Sequence, residues 1–181
     1  DPLCNGDCNG QLIIYGSGGT PPYEYSLDGV TFILGQDTWT GLCSGTQDVY
    51  VQDAAGCPNS SSTTLNDPPA LSIALDFIDH LNCSGDATGE IRVTVSGGTF
   101  PYSYLWTGPG GPYIADDITF LTAGTYDLVV TDANGCTITY SETINEPAPL
   151  TITFSAFDAS CAGACDGTAI VIPAGGTVAA G

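Results

Sequence analysis

The chain repeats itself. A shift of 79 residues lays Cys4 on Cys83 and Cys57 on Cys136 without a gap. The same shift lays Gly18-Gly19-Thr20 on Gly97-Gly98-Thr99, Tyr23 and Tyr25 on Tyr102 and Tyr104, and Asp53-Ala54-Ala55-Gly56-Cys57 on Asp132-Ala133-Asn134-Gly135-Cys136. Roughly two in five of the aligned positions are identical, so the chain must fold as a stacked or strung series of like units. A third copy starts at Leu150, and its Gly175-Gly176-Thr177 matches Gly97-Gly98-Thr99. The period is too long for one turn of a solenoid and suits a small domain. The expected organisation is a repeat over 1–69 lacking its first strand, a complete repeat over 70–149, and the start of a third, truncated repeat over 150–181. This is the pattern of a window cut from a longer tandem array. Prolines mark the boundaries, at Asn66-Asp67-Pro68-Pro69 and Asn145-Glu146-Pro147-Ala148-Pro149. They cannot continue a sheet ladder and they stiffen a short linker, so the array is expected to be a semi-rigid rod.

Within a repeat the apolar residues alternate with period two, and no segment has a helical period. Leu71, Ile73, Leu75 and Phe77 form one such row; Ile91, Val93 and Val95 form the next. Tyr102, Tyr104 and Trp106 make a third, Tyr126, Leu128 and Val130 a fourth, and Ile138 and Tyr140 belong to a fifth. Turn residues separate them: Ser96-Gly97-Gly98, Gly108-Pro109-Gly110-Gly111-Pro112, Ala123-Gly124 and Asn134-Gly135. Short antiparallel strands at this spacing predict an all-β chain of tandem immunoglobulin-like β-sandwiches. Tyr126 opens its strand where such folds place a tyrosine corner, whereas the first copy has Gln47 there.

Charge removes whole classes of function. One basic side chain, Arg92, stands against 20 acidic ones, for a net charge of −19. Such a chain repels phosphate backbones and anionic lipid heads, so neither nucleic acid nor membrane insertion is expected. Without lysine there is no Schiff base, no P-loop and no isopeptide cross-link. The acidity is not that of a disordered tail, because 43% of the residues are hydrophobic and 9% aromatic. A charged fraction of only 12% leaves a surface of Ser, Thr, Asn, Gln and Gly, which suits an extracellular β-protein. Eight cysteines and no methionine point to an oxidising compartment. No run of apolar residues is long enough to span a bilayer, and no leader peptide is recognisable.

The motif Ser-Gly-Gly-Thr-x-Pro-Tyr-x-Tyr, followed in 123–136 by Ala-Gly-Thr-Tyr-x-x-x-Val-Thr-Asp-Ala-Asn-Gly-Cys, resembles the SprB-type repeat. That family occurs in long, tandemly repeated surface proteins of Bacteroidota, gliding-motility adhesins among them. The resemblance implies export by a type IX secretion system and display on the cell surface. It does not identify a ligand.

The cysteines carry the most specific expectation. The first copy has Cys4, Cys8, Cys43 and Cys57; at the matching positions the second has Cys83, Ala87, Thr122 and Cys136. The second and third are lost together, as a bonded pair would be, which predicts Cys8–Cys43. The common pair is then Cys4–Cys57 and Cys83–Cys136, each loop of roughly 35–55 residues worth about 4 kcal/mol in the chain-entropy model. A rival pairing stays open. In a simple sandwich the Cys4 corner and the Gly135-Cys136 turn lie at opposite ends, which suits a bridge between neighbours, Cys4–Cys136. A four-cysteine zinc site is disfavoured, since the second copy keeps only two of the four. Cys161 and Cys165 match Cys4 and Cys8 and are expected to be unpaired within residues 1–181.

The remaining candidates have weaker chemistry. Gly16-Ser17-Gly18-Gly19 joins two strands and opens no helix, so it is a turn rather than a phosphate cradle. His80, the single imidazole, has no partner histidine for a metal and no nucleophile for a triad. Asp28, Asp37, Asp53, Asp116, Asp117 and Asp132 cluster near turns; no cofactor is expected, with structural calcium the one cation they suggest. Tyr23, Tyr25, Trp39, Tyr102, Tyr104 and Trp106 could offer stacking faces to a surface polysaccharide, though alternation sends many of them inward. Asn59-Ser60-Ser61 and Asn82-Cys83-Ser84 match the N-glycosylation pattern, a match expected to be accidental in the bacterial protein that the resemblance implies. No residue is assigned a catalytic role and the chain is not expected to be an enzyme. The sequence thus predicts a structural or adhesive segment of a secreted, disulfide-stapled cell-surface fibre, whose partners are neighbouring repeats of the same chain. A subunit of a self-assembling filament and a carbohydrate-binding module are the alternatives.

Overall fold

A computed structural model describes residues 1–176, so Thr177 of the third Gly-Gly-Thr motif lies outside the described residues. Among the described residues every regular element is a β-strand. The first copy contributes β1 (Gly10–Ile13), β2 (Glu24–Ser26), β3 (Ile33–Leu34), β4 (Thr38–Leu42), β5 (Gly45–Gln52) and β6 (Pro58–Leu65). The second contributes β7 (Ser72–Asp79), β8 (Gly89–Ser96), β9 (Ser103–Thr107), β10 (Ile118–Leu121), β11 (Gly124–Thr131) and β12 (Thr137–Ile144). The third adds β13 (Thr151–Phe157) and β14 (Thr168–Ala174). The pairing is antiparallel throughout the registers recorded, as short strands joined by tight turns require. This is an all-β chain with the antiparallel sheets of immunoglobulin-like sandwiches.

The repeat is visible in the sheet order. The first copy pairs β1 with β4 in one sheet and orders the other β3-β2-β5-β6. The second orders its sheets β10-β8-β7 and β12-β11-β9. Shifted by one period, β1 corresponds to β8, β4 to β10, β2 to β9, β5 to β11 and β6 to β12. β7 has no counterpart in the first copy. β13 and β14 repeat the β7–β8 pair in full register from Thr151↔Ala174 to Phe157↔Thr168.

Contacts group residues into two compact units that do not follow the repeat boundaries. One unit comprises Asp1–Ser72, Val95–Ser103 and Val130–Ile138; the other comprises Ile73–Thr94, Tyr104–Val129 and Thr139 onward. The first buries Tyr25, Leu65, Val130 and the polar Ser26 and Asp132. The second buries Leu81, Ile91, Val93, Trp106, Ile118, Leu121, Tyr126, Leu128 and Ile144. Alternation explains this core directly: β8 turns Ile91 and Val93 inward and β11 turns Tyr126 and Leu128 inward. The Tyr102-Tyr104-Trp106 row is less uniform. Only Trp106 is fully buried, donating its indole N–H to the Ala115 carbonyl at 3.1 Å. On β7, Leu75 and Phe77 stay partly exposed, and the Arg92 guanidinium lies 5.4 Å over the Phe77 ring while pairing with Glu90.

Tyr126 is a tyrosine corner. Its ring is buried and its hydroxyl donates to the Thr122 carbonyl at 2.9 Å. The first copy keeps the same bond with a different donor: the Gln47 amide donates to the Cys43 carbonyl at 3.2 Å, four residues upstream as before. What the first copy loses is the buried ring, and it is there, at Cys43, that its extra disulfide attaches.

Candidate functional site: a cysteine joint

The most elaborate constellation lies within the first compact unit, where the corner around Cys4 meets the turn around Cys136. The turn is built on Asp132. One carboxylate oxygen accepts the amides of Asn134 and Cys136 at 2.9 Å each; the other accepts the Thr99 amide at 2.8 Å. Ala133 N–H returns a bond to the Thr99 carbonyl at 2.9 Å, locking the turn to the Gly97-Gly98-Thr99 loop. Burial works to raise the Asp132 pKa, but the amides of Thr99, Cys136, Asn134 and Gly135 outweigh it and leave the carboxyl below its usual range. Gly97 and Gly98 have φ of +75° and +59°, the left-handed region that glycine enters without a Cβ clash. Tyr102 closes the loop by donating its hydroxyl to the Gly97 carbonyl at 2.5 Å.

The corner is a tight turn in which Asp7 N–H bonds the Cys4 carbonyl at 3.1 Å. Asp67 fixes it, accepting the Gly6 amide at 3.1 Å and the Ser44 hydroxyl at 2.9 Å. Asn5 donates to the Pro68 carbonyl at 3.0 Å, so the linker holds the corner as well. Corner and turn are then joined twice. The Asn134 amide donates to the Leu3 carbonyl at 2.9 Å, and Cys4 is disulfide-bonded to Cys136 with their Cα atoms 5.6 Å apart.

This corrects the pairing Cys4–Cys57 and Cys83–Cys136. Cys4 is bonded to Cys136, while Cys57 and Cys83 are exposed thiols. The reason is in the contacts of the first unit. Asn134 and the Pro68 carbonyl hold the Cys4 corner against the Cys136 turn, so the corner of one copy meets the turn of the next. Cys8 is bonded to Cys43, and Cys161 and Cys165 are exposed thiols.

The other sequence candidates fall elsewhere. Asp28 and Asp53 spend their oxygens on turn donors: Asp28 accepts Ser26 Oγ, Val30 N and Thr31 N, and Asp53 accepts Thr20 N, Ala55 N and Cys57 N. Asp37 accepts the Thr38 hydroxyl, and Asp116 the amide of Asp117. Among the described residues no group of three His, Cys, Asp or Glu side chains is placed to hold a metal ion. His80 accepts the Asn145 amide through Nδ1 at 3.3 Å. Tyr25 and Trp106 are buried, Tyr23 donates to the Gly18 carbonyl, and Trp39 packs edge-on to Tyr25 at 6.5 Å. The aromatic candidates therefore do not make one exposed row. Sequence reasoning missed the part played by Asn134 and Asp67. The clue for Asp67 was present, since the second copy has Glu146 in its place, accepting the Gly85 amide at 2.6 Å.

A family model for the SprB repeat matches residues 1–32 and 78–111. Each match runs through the cysteine corner and the Gly-Gly-Thr-x-Pro-Tyr loop, the two pieces the joint brings together in the second copy. Over these two segments the chain is similar to the SprB repeat. No curated protein matches it.

Proposed function

We propose that this chain, similar to the SprB repeat over two segments, is a non-catalytic load-bearing segment of a secreted, disulfide-stapled cell-surface fibre. SprB-type repeats point to a surface-displayed, adhesin-like segment, and the repeat is structural rather than enzymatic. The observation that carries the finer reading is the Cys4–Cys136 bond, which encloses 132 residues across the two copies. A pull applied at the two ends passes through the disulfide and bypasses everything inside that loop, so the strands from β1 to β11 are not unravelled. Proline linkers at Pro68-Pro69 and Pro147-Ala148-Pro149 stiffen the string between them.

Single-molecule stretching tests this. Pulled from its ends, the oxidised chain should release only the residues outside the loop. Reduction should add about 45 nm of contour, from 132 residues at about 3.5 Å each. Equal extension before and after reduction would overturn the load-bearing reading. A second reading, a self-assembling filament subunit, draws on the β13–β14 sheet. Its Ile152, Phe154, Ile170, Val171 and Ile172 are all more than half exposed, as is Leu150 just ahead of it. Sedimentation over a concentration series separates the two, since a filament subunit grows with concentration and a segment of a single fibre does not.

A further inference from the structure

The joint has a second seat of the same construction, unfilled, in the first copy. The carboxylate, backbone and tyrosine bonds of the Cys136 seat recur one period earlier; the Asn134 side-chain bond to the Thr99 hydroxyl, 3.0 Å, does not, because Ala55 stands there. Asp53 accepts Thr20 N at 3.0 Å, Ala55 N at 3.0 Å and Cys57 N at 2.9 Å. Ala54 N–H bonds the Thr20 carbonyl at 2.8 Å, and Tyr23 closes the loop on the Gly18 carbonyl at 2.6 Å. The seat is therefore preformed. What differs is the occupant. In the second copy a Cβ at Gly97 would fall 1.9 Å from the Ala70 carbonyl oxygen, and Gly98 N–H bonds the Pro69 carbonyl at 2.7 Å. In the third, a Cβ at Gly175 would fall 2.0 Å from the Pro149 oxygen, and Gly176 N–H bonds the Ala148 carbonyl at 2.8 Å. At Gly18 a Cβ would meet nothing within 4 Å, although its φ of +79° lies between the +75° of Gly97 and the +84° of Gly175. Beside it, Ser17, Gly19, Val51, Pro58 and Asn59 line a groove of about 300 Å³ that ends at the exposed Cys57 thiol.

We propose that this seat receives the proline linker and cysteine corner of another such repeat placed ahead of Asp1 in the same polypeptide, and that Cys57 bonds the corner cysteine as Cys136 bonds Cys4. The occupant is fixed by the filled seat. It must bring a linker carbonyl to the Gly18-Gly19 loop and a turn of the Cys4-Asn5-Gly6-Asp7 kind to the thiol. Both arrive together only from a repeat joined in sequence, because the linker leads directly into the loop's own repeat. Cys83 carries the matching corner, with Asp86 N–H bonded to the Cys83 carbonyl at 3.4 Å and Gly85 held by Glu146. The first copy's seat is weaker by two bonds, since Ala55 stands where Asn134 holds the Leu3 carbonyl and the Thr99 hydroxyl. This inference rests on the tandem-fibre reading, but the stretching experiment reads Cys4–Cys136 and is blind to Cys57, so either can fail alone.

The probe is a peptide copied from residues 1–9 with Cys8→Ser, its Cys4 sulfur carried as a mixed disulfide with glutathione. Offered to the full chain, it reacts by exchange: the Cys57 thiolate attacks the peptide sulfur, glutathione leaves as its thiol, and one disulfide replaces another. Peptide mapping should find the adduct on Cys57 about tenfold ahead of Cys83, Cys161 and Cys165, all of which are exposed, through the raised local concentration a preformed seat supplies. Ala55→Asn should increase capture at Cys57 several-fold and leave the other thiols unchanged. Even labelling of the four thiols, or no response to Ala55→Asn, would overturn the seat. In a second arm, residues 80–157 are joined ahead of Asp1, so that the added copy carries the Cys83 corner in sequence. Its Cys83 should then be bonded to Cys57, beside intact Cys4–Cys136 and Cys8–Cys43. A free Cys57 in that chain, or a Cys57 bonded to a second molecule, would overturn the assignment to the same polypeptide.

Discussion

Gly97→Ala and Gly18→Ala form a matched pair. Both glycines sit in the left-handed region, at φ of +75° and +79°, so both substitutions carry the same backbone penalty, about 1 kcal/mol. Their surroundings differ completely. The new methyl at Gly97 would lie 1.9 Å from the Ala70 oxygen and 2.7 Å from its carbonyl carbon. Both are backbone atoms in a linker held by prolines, and neither can swing aside as a flexible side chain would. The linker must shift by more than an ångström, which removes the Gly98–Pro69 hydrogen bond, about 1 kcal/mol, and adds an overpacking cost of about 1 kcal/mol or more. Gly97→Ala should therefore cost about 3 kcal/mol and Gly18→Ala about 1. For a chain of this size the 2 kcal/mol difference corresponds to a Tm about 4–8 °C lower for Gly97→Ala. Thermal unfolding of the two variants beside the parent chain, all oxidised, reads it out. Equal losses would refute the claim that the linker carbonyl, rather than the turn conformation, makes glycine necessary at position 97.

Further outcomes follow from other parts of the structure. Tyr126→Phe keeps the buried ring but leaves the Thr122 carbonyl without its donor, and should cost about 1–2 kcal/mol in urea unfolding; a neutral change would mean the corner bond is idle. Cys8→Ser with Cys43→Ser opens a 35-residue loop worth about 4 kcal/mol in the chain-entropy model and should lower the Tm markedly, and non-reducing mapping of the parent should recover both Cys8–Cys43 and Cys4–Cys136. Asp53 is held below its usual pKa by the Cys57 and Thr20 amides, so its contribution is full above the unfolded value near pH 4 and is lost as the pH falls through the lower folded value. Asp53→Asn should thus destabilise the chain at pH 7 and match the parent at about pH 2, a comparison in which relief of the −19 net charge is common to both chains. Burial, joined by the bond to Glu142, pushes the Tyr140 phenol up to about 12, and the tyrosine absorbance titration of the parent should lose a high-pH step in Tyr140→Phe.

Much of this protein is local, and the local part is written in its sequence. Period-two rows such as Tyr126-Leu128-Val130 need nothing beyond a strand with one face buried to become core, and all three are buried. The Asp-Ala-x-Gly-Cys turns close on their own carboxylates within four residues, so Asp53 and Asp132 build the same turn in different surroundings. Joint loss of Cys8 and Cys43 in the second copy marks two positions that must touch, which is pairing information a single chain can hold. The partner of Cys4 was a different kind of question. Every copy carries a corner cysteine, and the first two copies one turn cysteine each, so bonds within copies and bonds between successive copies leave the same pattern in the sequence. Only the folded structure, in which Asn134 and the Pro68 carbonyl hold the Cys4 corner against the Cys136 turn, decides between them, because those contacts join residues more than sixty positions apart. The same limit applies to the Tyr102-Tyr104-Trp106 row. Alternation fixes which face the rings share, but depth along the strand, set by the loop that Tyr102 closes and the carbonyl that Trp106 finds, decides that Trp106 alone is fully buried.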